Sequence, residues 1–389
     1  MKRELFRRWH GLVVPSLISL GVVVACAVPT PAPPPPEIRI GLITTLSGDL
    51  AESFGTSTVD AAKLAIQPVN DRGGLDLGGR KQKLTLLVED DQDRAERATQ
   101  AAQKLINQDK VVALIGPSLS RNAIPVADVA ESAGIPMISP DSTNPATTAG
   151  KKYAFRADFI DPFQGQVIAR FARDELHAQN AAVLYDVASA YNKGIAEVFK
   201  QVFTEAGGQV VAFESYTTGE KSFSQQMARI KQSAATILFL PNYDNDIPVQ
   251  AQQARQAGIS GTLLGSDTWA SLKTDSLGEL AGSFFSTNWT VDTPGQESQA
   301  FIKRFQDAYN HPPTNVSALT FDTVGLLLAS MTGQGRAEPE AIRAGLAATK
   351  DYAGVTGKIG YQGTGDPVKS AVIEQIKDGK MVLYKQVNP

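Results

Sequence analysis

The sequence predicts an α/β protein with two open, mostly parallel sheets, one in each of two lobes. Short apolar runs alternate with amphipathic segments, which is typical of parallel sheets covered by helices on both faces. The alternation runs to about residue 150 and restarts after Tyr153. Roughly 350 residues remain once an amino-terminal signal is set aside, more than one hydrophobic core usually supports. We therefore expect two doubly wound sheets joined by a hinge of several crossovers.

The first set of elements begins with a strand predicted at 38–46. Apolar residues then recur at helical spacing, at Val59, Ala62, Ile66 and Val69. Residues 70–74, Asn-Asp-Arg-Gly-Gly, end this helix. The other predicted elements of this set are strands at 83–90, 111–115 and 135–139 and helices at 95–106 and 123–132.

The second set alternates in the same way. Its predicted helices are 163–176, 195–205, 223–230 and 249–257, and its strands are 181–185, 210–216, 236–240 and 262–266. Helices at 298–309, 322–331 and 339–348 follow, and then strands at 358–361, 371–377 and 381–384. These late elements fit best as returns to the first lobe and then the second. We place the first lobe at 38–156 with 289–355, and the second at 157–288 with 356–389.

The amino terminus has the pattern of an export signal. Basic residues precede an apolar run over 11–25, and small residues lead to Cys26. A cysteine there resembles the bacterial lipobox, in which the thiol is acylated and becomes the new amino terminus. We predict a lipoprotein signal at 1–25 and a lipidated, proline-rich tether at 26–37, which would anchor the protein outside the cytoplasm. The alternatives are a plain signal peptide and, less favoured because Pro15 interrupts a short run, a retained anchor helix.

Composition excludes several classes of function. The chain has 37 basic and 40 acidic residues; removal of 1–25 leaves 33 and 39, a net charge of −6, which argues against nucleic acid as a partner. Cys26 is the only cysteine, so the folded part has no thiol chemistry. His177 and His311 fall in polar stretches and are expected at the surface. No Walker A, Gly-x-Gly-x-x-Gly or Gly-x-Ser-x-Gly motif is present, so we expect no cofactor, no metal and no catalysis.

Hydroxyl-rich loops follow several predicted strands, where ligands of open parallel sheets bind. Residues 115–121 join a strand to a helix, so serine hydroxyls and free backbone amides would face an anion; helix capping by Ser118 or Ser120 is the alternative. Residues 138–145 form a second such loop, although turn chemistry alone would explain it. In the second lobe Asp267 directly follows a strand, where a carboxylate is usually solvated. Residues 89–93 lack the spacing of a calcium loop and are predicted as a solvated turn.

Several short motifs occur in a characteristic order. They are Ile40-Gly41-Leu42, Leu46-Ser47-Gly48, Gly73-Gly74, Val88-Glu89-Asp90-Asp91, Ile115-Gly116-Pro117, Ile138-Ser139-Pro140, Thr143-Asn144-Pro145, Tyr185-Asp186 and 219–224. In these motifs the chain resembles the type I periplasmic binding proteins, and within them the leucine/isoleucine/valine-binding branch that serves ABC transporters. The resemblance covers essentially the whole mature chain.

The resemblance implies how a zwitterionic amino acid would be held between the lobes. Ser120 matches a serine whose hydroxyl binds the ligand carboxylate, and Ser142 and Thr143 match a backbone carbonyl and a hydroxyl that accept from the ligand ammonium. Asp267 matches an acidic residue, usually glutamate, that pairs with this ammonium from the second lobe. The aromatic residues of the family's pocket are matched by Tyr191, Tyr243 and Phe54.

The resemblance implies a monomeric, lipid-anchored solute-binding protein that delivers an amino acid or related small carboxylate to ABC permease subunits. The alternative is a receptor module that reports ligand occupancy to a membrane signalling partner. An exported hydrolase using Ser120 or Asp267 has no base in a matching motif. Asp141 departs from the family's usual glycine, Arg121 could serve a more anionic ligand or face outward, and Trp269 could support an aromatic substrate.

Overall fold

The computed structural model describes residues 37–389. The predicted signal, Cys26 and nearly all of the tether lie outside the described residues. Two sheets of five and seven strands, each flanked by helices, dominate the described part. The predicted fold class, α/β with parallel sheets in two lobes, is therefore confirmed.

The first sheet is parallel throughout. The strands up to residue 156 are β1 (Ile38–Thr44), β2 (Leu75–Leu77), β3 (Arg80–Gln82), β4 (Leu84–Asp90), β5 (Ala113–Ile115), β6 (Met137–Ser139) and β7 (Ala154–Arg156). The helices between them are α1 (Ser57–Asp71), α2 (Ala95–Asn107) and α3 (Ser120–Ala133). The sheet has the order β4-β1-β5-β6-β7, and β2 and β3 form a separate hairpin.

The second sheet starts with the next block of the chain. This block contains α4 (Asp161–Asp174), β8 (Asn180–Asp186), α5 (Ala190–Glu205), β9 (Gln209–Tyr216), α6 (Ser224–Gln232), β10 (Ile237–Leu240), α7 (Ile247–Gln256), β11 (Thr262–Gly265) and β12 (Phe284–Thr287). Its strands pair in parallel, in the order β12-β11-β10-β8-β9.

Trp269 is buried in the hydrophobic core of this lobe and donates its indole N–H to the carbonyl oxygen of Leu240 at 3.1 Å. It is therefore a core residue and not part of the cleft.

The chain then returns to the first lobe and again to the second. The returning elements are α8 (Gln296–Tyr309), α9 (Asn315–Gln334), α10 (Pro339–Ala347), β13 (Tyr352–Gly354) and β14 (Gly357–Ile359), followed by β15 (Ala371–Lys377) and β16 (Lys380–Val387). Side chains of α9 and α10 share one core with β1, whereas β15 and β16 extend the second sheet antiparallel beyond β12. The described chain thus passes between the sheets three times, as the late elements suggested. The predicted lobe boundaries themselves stay a prediction.

Length and composition would allow α9 to span a membrane, but 67% of its most apolar window is buried within the first lobe, as in the core helix of a folded domain.

Five short strands were not predicted from the sequence: β2, β3, β7, β12 and β13. Each has only three or four residues, too few for a period-2 pattern to stand out. Two of these strands, β7 and β12, lead directly into the crossovers between the lobes.

Candidate functional site

The loops that follow strands of the two sheets meet at one small cavity between the lobes. Its lining residues are Ser118, Leu119, Ser120, Asp141, Thr143, Tyr191, Tyr243, Asp267 and Thr268. Five of the seven predicted ligand residues are among them: Ser120, Thr143, Asp267, Tyr191 and Tyr243. The remaining two, Phe54 and Ser142, contact lining residues.

The lobes lie in a closed arrangement around this cavity. Ser53 Oγ of the first lobe donates to Asp244 Oδ2 of the second at 2.5 Å, and Asn144 Nδ2 donates to the carbonyl oxygen of Ala190 at 2.9 Å. Phe54 packs edge-on against Tyr243, with ring centroids 6.5 Å apart, and joins an apolar cluster across the cleft. Residues of both lobes therefore enclose the same space.

The amino terminus of α3 points into the cavity from the first lobe. Leu119, not a serine, is the N-cap residue of this helix, and no side chain caps it. The capping interpretation of Ser118 and Ser120 is thus wrong. The Ser118 hydroxyl is 4% exposed and has no hydrogen-bond partner among the described residues. Ser118 was predicted among the serine hydroxyls that would face an anion, but it was not included among the ligand residues. Its free hydroxyl and the start of α3 suit an anionic or carbonyl oxygen.

Ser120 and Ser142 form one hydroxyl chain behind this surface. Ser120 Oγ lies 2.9 Å from Ser142 Oγ, which in turn lies 2.7 Å from Thr147 Oγ1. The carbonyl oxygen of Ser142 accepts a hydrogen bond from the buried guanidinium of Arg156. The carbonyl that the resemblance assigned to a ligand ammonium is therefore already engaged by a cation of the protein.

Asp267 reaches the cavity from the second lobe and is 1% exposed, so the expectation that a carboxylate there would be solvated is wrong. Its Oδ1 atom accepts hydrogen bonds from the hydroxyl of Tyr191 at 2.5 Å and from Gln164 Nε2 at 2.7 Å. Burial raises the pKa of this carboxyl, and the two donors partly offset that effect. Both of these side-chain donors bind Oδ1, and the backbone N–H groups of Asp267 and Thr268 also lower the pKa of this carboxyl.

Two further aspartates surround Asp267. Asp141, Asp158 and Asp267 each offer a carboxylate oxygen, and these three atoms lie within 4.8 Å of one another. Each of the three residues stands two positions after the last residue of a parallel strand, β6, β7 or β11. Burial, followed by the neighbouring carboxylates, raises the pKa of Asp141 well above its ordinary value. Asp158 was missed in the sequence because the strand before it, β7, was not predicted.

Asp161 is a fourth buried carboxyl at the cleft. It begins α4 and is 1% exposed, and its backbone N–H donates to the carbonyl oxygen of Thr143 across the crossover at 2.9 Å. The side chains of Thr143 and Asn144 lie beside this carboxyl and lower its pKa, but burial has the larger effect. Burial raises the pKa of Asp161 to about 8. This carboxyl is therefore mostly protonated at neutral pH.

Arg121 and the acidic run 89–93 support the cavity wall. The Arg121 guanidinium binds Asp93 through Nε at 2.6 Å and through a second nitrogen, and it stacks over the ring of Tyr243 at 4.4 Å. Arg121 is thus neither a ligand group nor an outward-facing residue. Asp91 is fully buried and accepts from Thr45 Oγ1 at 2.8 Å and Asn122 Nδ2 at 3.0 Å. The prediction that this run is simply a solvated turn is wrong.

The chain is similar to known proteins over most of its length. The family model described as periplasmic binding protein matches residues 37–380. The Leu/Ile/Val-binding protein BraC3 of Rhizobium johnstonii is 29% identical over 333 residues, which are 85% of this chain and 89% of that protein. A leucine-, isoleucine-, valine-, threonine- and alanine-binding protein of Pseudomonas aeruginosa is 26% identical over 85% of this chain and 87% of that protein.

Solved structures show the same fold. The leucine-binding protein LivK of Thermotoga maritima superimposes with a TM-score of 0.83 at 28% identity, over 90% of this chain and 99% of that one. LivJ of Streptococcus pneumoniae, solved with isoleucine, also has a TM-score of 0.83 at 28% identity, over 91% and 100% of the two chains. Fold and cleft define a two-lobed solute-binding protein. The chain belongs to the periplasmic binding protein family, which confirms the resemblance seen in the sequence.

Proposed function

We propose that this protein is the solute-binding component of an ABC importer and captures a small aliphatic amino compound between its lobes. The observation that carries the proposal is the polarity of the cavity. Ser118, Ser120 and the start of α3 present hydrogen-bond donors from the first lobe, and Asp267 presents a buried carboxylate from the second. A small molecule with an oxygen-bearing end and an ammonium end matches both.

The apolar side of the cleft supports an aliphatic or small aromatic side chain. Leu119, Tyr191 and Tyr243 line the cavity and belong to one apolar cluster whose other members are Leu50, Phe54 and Val316. These residues come from both lobes, so a ligand side chain between them would bury apolar surface only in the closed form. The Leu/Ile/Val-binding relatives support the same class of ligand.

The arrangement favours binding over catalysis. The Ser120 hydroxyl faces Ser142, and the residues lining the described cavity include no histidine or lysine that could serve as a base. We propose that the protein is a non-catalytic monomer that passes its ligand to permease subunits.

A calorimetric and thermal-shift screen tests the proposed function. Leucine, isoleucine, valine, threonine, alanine, their amides and small aromatic acids would be titrated into the mature protein. A ligand that binds only the folded state raises its melting temperature, by an amount that grows with concentration. If no compound of this panel gives binding heat or raises the melting temperature, the proposal is contradicted. Product formation from a bound compound would contradict the non-catalytic role.

We also propose that Cys26 carries the lipid anchor and that residues up to 37 form the tether. The support is the pattern of basic residues, apolar run and cysteine at the amino terminus. The wild-type protein, expressed in a bacterium with radiolabelled palmitate, should carry the label. The Cys26→Ser variant should carry no label and should leave the membrane fraction. Membrane retention of that variant without label would instead indicate an uncleaved anchor.

A further inference from the structure

The cavity carries two carboxylates and no compensating cation. Asp141 and Asp267 line it, one from each lobe, and no basic side chain of residues 37–389 lines it with them. The nearest cations are already paired. Arg121 binds Asp93, Arg156 donates through Nε to Asp366 at 2.7 Å, and Lys369 binds Thr356 beside the buried Asp322.

Asp141 is free to bind a ligand, whereas Asp158 is not. Asp158 accepts from the backbone N–H of Phe159 at 2.6 Å and from Asn288 Nδ2 at 2.9 Å, which ties together two crossovers between the lobes. Asp141 is 6% exposed, and its Oδ1 atom has no partner among the described residues. Burial and the neighbouring carboxylates raise the pKa of Asp141 in the ligand-free protein, and a bound cation would favour its ionised form again.

One further group beside Asp141 also lacks a partner. The Ser118 hydroxyl lines the same cavity and has no hydrogen-bond partner in the described chain, and the residue is 4% exposed. The Ser142 carbonyl, in contrast, accepts from the Arg156 guanidinium, which makes it a poor acceptor for a second cation. The acceptor that the first lobe offers to an ammonium is therefore the Asp141 carboxylate.

We infer that the ligand carries a net positive charge, as an aliphatic amine or amino-acid amide does, and that its ammonium is shared by Asp141 and Asp267. This inference rests on the proposed function and narrows its ligand class. A zwitterion adds as much negative as positive charge and leaves the repulsion between Asp141 and Asp267 uncompensated, whereas a cation offsets part of it. An amide oxygen can still accept from Ser118 and the amino terminus of α3 without adding negative charge.

Matched ligands and variants test the inference. Isothermal titration at about pH 6.5 would compare L-leucine, L-leucinamide and isopentylamine, which share one side chain. Leucine has no net charge, whereas leucinamide and isopentylamine are both cations. The proteins are the wild type, Asp141→Asn and the control Asp128→Asn, which removes the same charge from an exposed position on α3. We expect the wild type to bind leucinamide at least about tenfold more tightly than leucine, the lower end of the range for a charged hydrogen bond. Asp141→Asn should remove this preference and Asp128→Asn should keep it.

The outcomes separate this inference from the proposed function. Tighter binding of leucine than of leucinamide by the wild type, or a preference that Asp141→Asn leaves unchanged, overturns the inference and leaves the proposed function standing. If none of the three proteins gives binding heat with these ligands or with the wider amino-acid panel, the inference and the proposed function are both overturned. The same proteins would also be titrated with calcium chloride. Calcium binding that Asp141→Asn abolishes would assign the carboxylates to a metal ion and overturn the inference of an organic cation.

Discussion

Asp267→Asn separates ligand binding from folding. In the wild type, Oδ1 of Asp267 accepts from Tyr191 and Gln164, so the asparagine oxygen would take the same two hydrogen bonds. The amide nitrogen would then occupy the place of Oδ2 and present N–H donors to the ammonium of the ligand. The variant therefore loses the acceptor for the ligand ammonium and places an N–H donor against that ammonium.

The size of the effect follows from burial. Asp267 is 1% exposed, so its charge is hardly screened by water. Removing one partner of a buried, hydrogen-bonded charge pair costs about 3 to 5 kcal/mol. The dissociation constant should therefore rise by about two to four orders of magnitude. The ligand-free protein should be at least as stable as the wild type, because the substitution relieves repulsion of Asp141 by the Asp267 charge.

The assay is isothermal titration with the tightest ligand of the screen, together with thermal unfolding of the ligand-free proteins. Asp128→Asn is the matched control, and Asp267→Ala should abolish binding as well while leaving the fold intact. Affinity of Asp267→Asn within threefold of the wild type would refute the ammonium role. Lost binding accompanied by a large fall in melting temperature would refute the separation of binding from folding.

Three further predictions concern neighbouring groups. Ser120→Ala should weaken binding by about 1 to 3 kcal/mol in titration calorimetry; an unchanged affinity would exclude its role at the oxygen-bearing end of the ligand. Tyr191→Phe removes the donor to Asp267 and keeps the ring, so affinity should fall by about tenfold, with near-wild-type values arguing against that hydrogen bond. Burial raises the pKa of Asp161 from its ordinary value of 3.8 to about 8 in the folded protein, so the stability that it contributes is full below pH 3.8 and is lost as pH rises through 8. The unfolding free energy of the wild type should therefore fall between pH 5 and 8, and in Asp161→Asn the slope of this fall should be smaller by up to about 1.4 kcal/mol per pH unit. Urea titrations at several pH values measure this slope. An unchanged slope would assign the fall to other groups.

Much of the candidate site could be predicted from the ends of strands. Ser120, Thr143 and Asp267 were recognised because the strands before them, β5, β6 and β11, are apolar and precede hydroxyl-rich or acidic loops. Asp158 obeys the same rule, but β7 follows Lys151 and Lys152 and ends in Arg156, so no apolar run marks it as a strand. Its role at the crossover therefore stayed hidden in the sequence.

The sequence by itself determined the class of fold, because alternating apolar and amphipathic segments dictate which residues form strands and which cover them. It also determined the family, through motifs whose order spans the mature chain. Only the tertiary structure decided which polar groups are free. Arg156 occupies the Ser142 carbonyl from another strand, Arg121 is bound by Asp93, and three aspartates from three loops meet within 4.8 Å. These pairings join residues far apart in the chain or on different loops, and local sequence patterns carry no information about such contacts.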